Sequence, residues 1–419
     1  MMTATKWLRR PALVGAFAAG VLLAAGCDSP TDDDGGHDHE VPVEEMRRLM
    51  VTDLAAPRAH LVEVKDGRIL QSFTLDEPAS ALYASYGGRH AFVHLADAGL
   101  VEAFDGGIWA EDHGDHADLR TAQPGKTALR LQGPRPTHWM VDGANVSVFF
   151  DGSGKAAFFD EARLLRGEFA QTTVRGAAAH HGNALTLGGA YFVTVKHTPG
   201  GTPDSVKAFD AAGRVLGAYG DCPAVHGDAA NGTAAAWGCA DGALVATRSG
   251  SGLTVRKLVP SGSLAGTGAR NFKSRPGVPF FVAQMGGPGV RSLAKLDPVA
   301  GTFTPIAYPG TYFLSWEITP EGDHLLVLDE SGALHVYDAR SMTALGSVAV
   351  SAPVPAAGRS SAPQMAAAHG TAYVTSPTTG EVLEVDYVGR RVSSRFAVGG
   401  APLRVAVLGV ARDLKVERH

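Results

Sequence analysis

Apolar residues in this chain recur in short runs broken by glycine-centred turns, and helical periodicity is scarce after about Met46. Three stretches show the pattern: "GGRHAFVHLADAGLVEAFDGG" (87–107), "DGANVSVFFDGSGKAAFFDEARL" (142–164) and "EGDHLLVLDESGALHVYDARSMTALG" (321–346). Each reads as strand, Gly turn, strand, Asp-Gly or Gly-x-Gly turn, strand. The unit repeats every 38 to 50 residues or so, the range expected for propeller blades. A partial unit occupies 48–75, and further units start near 79, 136, 181, 224, 266, 312 and 363. The stretch "APLRVAVLG" (401–409) resembles the opening strand that the first unit lacks. The pattern therefore predicts an all-β fold, a single β-propeller whose ring is closed by pairing of N- and C-terminal strands. The count gives eight blades; the irregular unit at 266–308 leaves seven open.

Composition supports that reading. The 419 residues include 52 Gly and 24 Pro while 45% remain hydrophobic, a mixture that suits many short strands and tight turns. A net charge of −5 supplies no basic field, which sets nucleic-acid binding aside.

The first 27 residues read as an address. Lys6, Arg9 and Arg10 precede an apolar run from Ala12 to Ala25, and "LLAAGC" ends at Cys27 in the form of a bacterial lipobox. No later segment has the roughly twenty uninterrupted apolar residues needed to span a bilayer. An extracytoplasmic protein, lipid-anchored at Cys27, is expected. Residues 28–45 are acidic and lack an apolar period, so they read as a disordered tether, within which His37 and His39 alternate with carboxylates suited to weak metal handling. The propeller should occupy 46–411, with 412–419 as a tail. Cys222 and Cys239, the cysteines left in an exported chain, are expected to form a disulfide.

Candidate chemistry lies with the histidines. His138, His181 and His226 each precede the first turn of their units by several residues, which places them at the start of the innermost strands of three consecutive blades. His324 and His369 lie in or beside that turn instead. The second unit carries a long polar excursion (108–128) with "EDHGDHAD" at 111–118. Loops of that length in compact domains are usually functional or disordered. Its convergence on the three histidines would add His113, His116 and Asp112, with Asp115, Asp118 and His180 as substitutes. Imidazole with occasional carboxylate suits Zn²⁺ in a tetrahedral shell. His60, His90, His94, His197 and His335 read as structural. Two other readings compete: a propeller hydrolase or lactonase using an open metal site, for which Glu111 is the attractive general base, and an interaction scaffold without metal.

The lipobox, the acidic His tether, "GGIWAEDHGDHAD", "PTHWMVDG", "AAHHGNAL", "CPAVHGDAANGTAAAWGCADG" and "TSPTTGEVLEVD" together resemble the AztD family of extracytoplasmic zinc metallochaperones. The resemblance implies a β-propeller that is not an enzyme, binds zinc, and passes it to the solute-binding protein of an ABC zinc importer. It also implies His113, His116, His138, His181 and His226 as zinc ligands and Cys222–Cys239 as a structural disulfide; a monomer is expected.

Overall fold

The computed structural model describes residues 46–112, 117–168, 172–175, 178–197, 202–250, 252–286 and 291–409. The leader with Cys27, the tether with His37 and His39, and the tail at 412–419 lie outside the described residues.

Eight four-stranded antiparallel sheets follow one another around a ring. The innermost strands are Ala81–Ala84, Pro136–Asp142, Ala184–Leu187, His226–Ala230, Ala269–Lys273, Phe313–Ile318 and Met365–Ala368 for blades 2 to 8. Blade 1 is composite. Its strands Arg47–Asp53, Arg58–Glu63 and Ile69–Thr74 receive Pro402–Gly409 as the innermost strand, in a register running from Arg47↔Gly409 to Thr52↔Arg404. The unit at 266–308 is a full blade, so the ring has eight blades and is closed as the terminal repeats imply.

Burial explains the sequence pattern. The second strand of each blade is packed on both faces, so Leu325–Asp329 or Ala234–Cys239 reads as a continuous buried run. The outermost strands alternate, as in Gly252–Leu258 and Arg391–Ala397, because only one face touches a neighbour. The core is accordingly a ring of layers between blades. Leu185, Phe192 and Val206 of blade 4 meet Ala235, Trp237 and Leu244 of blade 5, with Phe192 and Trp237 ring centroids 5.0 Å apart. Leu49, Val51 and Val405 of blade 1 meet Tyr373, Val382 and Phe396 of blade 8 at the closure.

All eight innermost strands run the same way. The face where they start is called upper, and the face where they end lower. In blade 2 an extra hairpin, Ile108–Asp112 paired with Ala117–Thr121, is inserted between the third strand, Leu100–Asp105, and the fourth, Gly125–Gln132. Asp105 pairs with His90, just past the turn that follows Ala84, so the hairpin leaves from the lower face. The Arg48 guanidinium donates to the Gly106 carbonyl, and the Arg89 guanidinium lies 3.9 Å from the Trp109 ring centroid; both fix the hairpin stem there.

Candidate metal centre

His138, His181 and His226 come together on the upper rim. His138 is in the innermost strand of blade 3, His181 is three residues before that of blade 4, and His226 opens that of blade 5. Their ring centroids are 4.7 Å (138–181), 5.5 Å (181–226) and 6.1 Å (138–226) apart. Zinc–nitrogen bonds of about 2.0–2.1 Å in a tetrahedral shell place bound imidazole centroids about 5 Å apart and donor nitrogens about 3.3 Å apart. His138 Nε2 and His181 Nε2 are 3.1 Å apart, already near that separation. Among the described residues no three metal-type side chains yet surround one point. His226 must swing toward His138 by about 1 Å to complete the geometry expected of zinc.

Two glycines shape the rim. Gly227 (φ +65°) forms the bulge after His226, and a Cβ there would sit 2.1 Å from the Arg270 carbonyl oxygen. A Cβ on Gly182 would meet Thr194 Oγ1 at 2.5 Å and Phe149 Cζ at 2.6 Å. The His-Gly pairs at 181 and 226 thus let imidazole-bearing turns pack against the next strand. Gly370 after His369 has open space around it and is an ordinary turn glycine on the lower face.

The supporting groups set the nitrogen that His181 and His226 present. Asp151 Oδ2 accepts from His181 Nδ1 at 2.7 Å, which puts the proton on Nδ1 and leaves Nε2 as the free lone pair. Asp151 is itself positioned by Thr137 Oγ1 at 2.5 Å and Gly182 N at 3.4 Å. Burial raises its pKa, but the hydrogen bonds from His181 and Thr137 outweigh that and hold the carboxyl below its usual range. His226 Nδ1 lies 3.4 Å from the Arg270 carbonyl, a long bond that favours the same tautomer. Asn183 Nδ2 donates to His138 Nδ1 and to Asp228 Oδ1, at 3.0 Å each, tying the rim to a fully buried carboxyl that burial pushes up to about 7; with Nδ1 accepting, His138 carries its proton on Nε2, which faces His181 Nε2, and it must switch tautomer to offer Nε2 to zinc.

Burial, with His181 and His226 nearby, holds His138 down to about 3; burial and the neighbouring Arg270 also lower His226. Both are therefore neutral ligands at ordinary pH. Beneath His138 lies His94, fully buried and edge-on to Trp139 at 5.2 Å.

The disulfide belongs to the same rim. Cys222 and Cys239 are bonded with Cα atoms 4.8 Å apart, and Cys239 ends the strand whose Gly238 pairs with His226. The bridge pins the segment Cys222–His226 to the sheet.

The remaining described candidates lie elsewhere. His180 is buried, with Nδ1 on the Ala178 carbonyl at 2.8 Å and Nε2 on Thr194 Oγ1 at 3.2 Å, so both nitrogens are engaged away from the rim. The expectation that the polar excursion converges on the three histidines is not met at its stem, which leaves from the lower face. His113, Asp115 and His116 lie outside the described residues, as does the side chain of Asp112. Asp118 and Glu111 both pair with Arg120, at 3.0 and 2.5 Å. Sequence reasoning missed Asp151, Asn183 and Asp228. Asp151 sits in "DGSGK", a stretch that reads as a plain turn, and only its contact with His181 reveals it.

No family model matches the sequence. The zinc chaperone AztD of Citrobacter koseri is 27% identical over 378 residues, spanning 89% of each chain. A crystal structure of Citrobacter koseri AztD matches with a TM-score of 0.80 at 26% identity, covering 87% of this chain and 98% of that one. The structure of apo AztD from the same organism gives 0.78 at 25% identity with the same coverage. Dihydro-heme d1 dehydrogenase NirN matches at 0.57 with 11% identity, a likeness of fold alone. In both sequence and fold, over nearly nine-tenths of its length, the chain resembles the AztD zinc chaperones.

Proposed function

We propose that this protein binds Zn²⁺ as cargo on the upper rim, through His138, His181 and His226, and donates it to the solute-binding protein of an ABC zinc importer. The observation that carries the reading is three imidazoles from three consecutive blades within 6.1 Å, one of them backed by a carboxylate. The likeness to a zinc chaperone supports the same cargo. A fourth position is left to water or to a donor from the acceptor protein. An open position suits a site built for release, since an incoming ligand can bind before an outgoing one leaves.

Neutral imidazoles need no deprotonation before zinc binds, so loading at His138 and His226 costs no proton release. We place the chain as a monomer outside the cytoplasm, anchored through Cys27, with His37, His39 and the hairpin residues Asp112, His113, Asp115, His116 and Asp118 as weaker auxiliary donors. Among the described residues no helix is long and apolar enough to cross a membrane.

The test is zinc per chain after dialysis, followed by transfer from loaded protein to an apo solute-binding protein in the presence of a chelator trap. Retention of one rim zinc that is lost in His181→Ala, and transfer faster than release to the trap, is the expected result. Full retention in His138→Ala/His181→Ala would overturn the site. Transfer no faster than spontaneous release would overturn the donor role.

A further inference from the structure

Below the histidine rim the wall of the central channel changes character. The innermost strands enclose a cavity of about 650 Å³ lined by four cations, Arg47, Lys273, Arg275 and Arg404, against one carboxylate, Glu317. Glu317 is already shared: Lys273 Nζ contacts Oε1, and Arg275 Nη2 lies 3.8 Å from Oε2. The other two are in no salt bridge among the described residues, although the half-buried Glu384 carboxyl lies within electrostatic reach of Arg47. Arg47, 7% exposed, donates to the His369 carbonyl at 3.0 Å. Arg404 donates one Nη2 bond to the Ser80 carbonyl at 2.6 Å, and burial pulls its pKa below the usual guanidinium value.

Buried charges are ordinarily paired, and a carbonyl oxygen satisfies a donor without neutralising its charge. A wall with this excess of cations repels itself, and the group that removes the repulsion is an anion placed among them. Guanidinium is also the side chain best suited to hold oxyanions, because its planar donors match two oxygens at once. The volume is in the range of small-molecule sites. Between the charged positions the wall is apolar, from Leu82, Ala84, Met365 and Val405, which suits a ligand with a short carbon frame as well as a bare oxyanion.

We propose that the channel is an anion-binding site, separate from the zinc rim, that takes a small multivalent oxyanion such as phosphate or a dicarboxylate. Arg404 supplies charge that no carboxylate cancels, and Arg47 adds what Glu384 leaves uncancelled. Arg404 faces Thr52 in the strand register and Arg47 faces Gly409, so the two anchors are about 16 Å apart along the strand. Small anions can then sit at either level.

The experiment titrates metal-free protein with inorganic phosphate and, separately, with succinate, by calorimetry at constant ionic strength set with sodium chloride. Saturable binding of either is expected, with the response to each distinguishing an inorganic from a carboxylate ligand. Arg404→Gln and Arg47→Gln should each remove or weaken at least ten-fold the binding at its own level, the double variant should lose both levels, Arg404→Lys should weaken binding less than Arg404→Gln, and the surface change Arg130→Gln should leave it unaltered. Zinc per chain should not change in any of these variants. Absence of saturable binding by wild-type protein for both anions would overturn the proposal, whatever the variants do. Equal binding by wild type, Arg404→Gln and Arg47→Gln would overturn it as well.

Discussion

Asp151→Asn is the sharpest perturbation of the metal rim, because it changes no proposed ligand. Asp151 holds His181 Nδ1–H at 2.7 Å and is held in turn by Thr137 and Gly182. An asparagine carboxamide can still accept one hydrogen bond, but the charge is gone, and charge-assisted bonds are roughly twice as strong as neutral ones. Removing the carboxylate behind a metal-bound histidine ordinarily lowers metal affinity about 10- to 100-fold, or about 1.4–2.7 kcal/mol. Direct loss of a ligand in His181→Ala should cost more. The two changes should not add: once His181 is absent, Asp151→Asn should alter zinc affinity by less than about three-fold, since coupled residues deviate from additivity and independent ones do not. The assay is competition for zinc against a fluorescent chelator at fixed pH and ionic strength, on all four members of the cycle. Wild-type affinity in Asp151→Asn would refute the orienting role. So would an equal loss with and without His181, which would mean that Asp151 acts on the fold and not through the imidazole.

Two further predictions concern the frame of the rim. Replacing both Cys222 and Cys239 by Ser opens a loop with a sequence separation of 17 residues, so stability should fall by about 3 kcal/mol; zinc affinity should fall too, because Cys222 anchors the segment carrying His226, and unchanged affinity in chemical denaturation and chelator assays would refute that link. His94 is fully buried, and burial holds it at about 3 against an ordinary 6.5, with the Pro136 carbonyl only partly opposing the shift. The folded state therefore binds a proton less readily than the unfolded chain, so the associated stability is complete above pH 6.5 and is lost as pH falls from there toward 3. At pH 4.5 the loss is about 2–3 kcal/mol, and His94→Leu should flatten denaturant-measured stability between pH 7.5 and 4.5; an unchanged pH slope would exclude His94 as the cause.

The blades were legible because each second strand is buried on both faces and each turn needs glycine, which prints a strong period on the sequence. Closure was legible for the same reason: the first unit lacked a strand and the last residues supplied one. The three rim histidines could be placed by their offset from the first turn of each unit, since that offset fixes which end of the innermost strand they occupy. The stem of the hairpin departs from the expected convergence, although the same logic applies to it. Within an antiparallel blade, an insertion after the third strand lies at the same end as the turn after the first, and so opposite to residues that precede the first. Counting strands roots the excursion on the lower face, whereas its length, its polarity and its place in the unit next to the three histidines suggest convergence. Asp151 and Asn183 were beyond reach, because their significance depends on contacts between blades that no local pattern encodes.

The two faces differ in what they can offer a metal ion, and the channel between them bears on how zinc travels. The chain enters the ring at Arg47 on the lower face, where the acidic, histidine-bearing hairpin is also rooted, while the rim that groups three imidazoles is on the upper face. Passage through the ring would take Zn²⁺ along a wall with four cations and one carboxylate. A divalent ion 8 Å from a single uncompensated guanidinium is opposed by about 4 kcal/mol at an effective dielectric of 20, and the wall presents more than one. An anion resident in the channel would cancel that repulsion, but it would then bind the ion and hold it there, which also stops through-passage. Under the proposed function, loading and unloading of the rim therefore take place from the solvent side of the upper face. On the proposed function a zinc acceptor docks over His138, His181 and His226, so exposed substitutions around that rim should slow transfer, whereas substitutions on the lower face away from the hairpin should not.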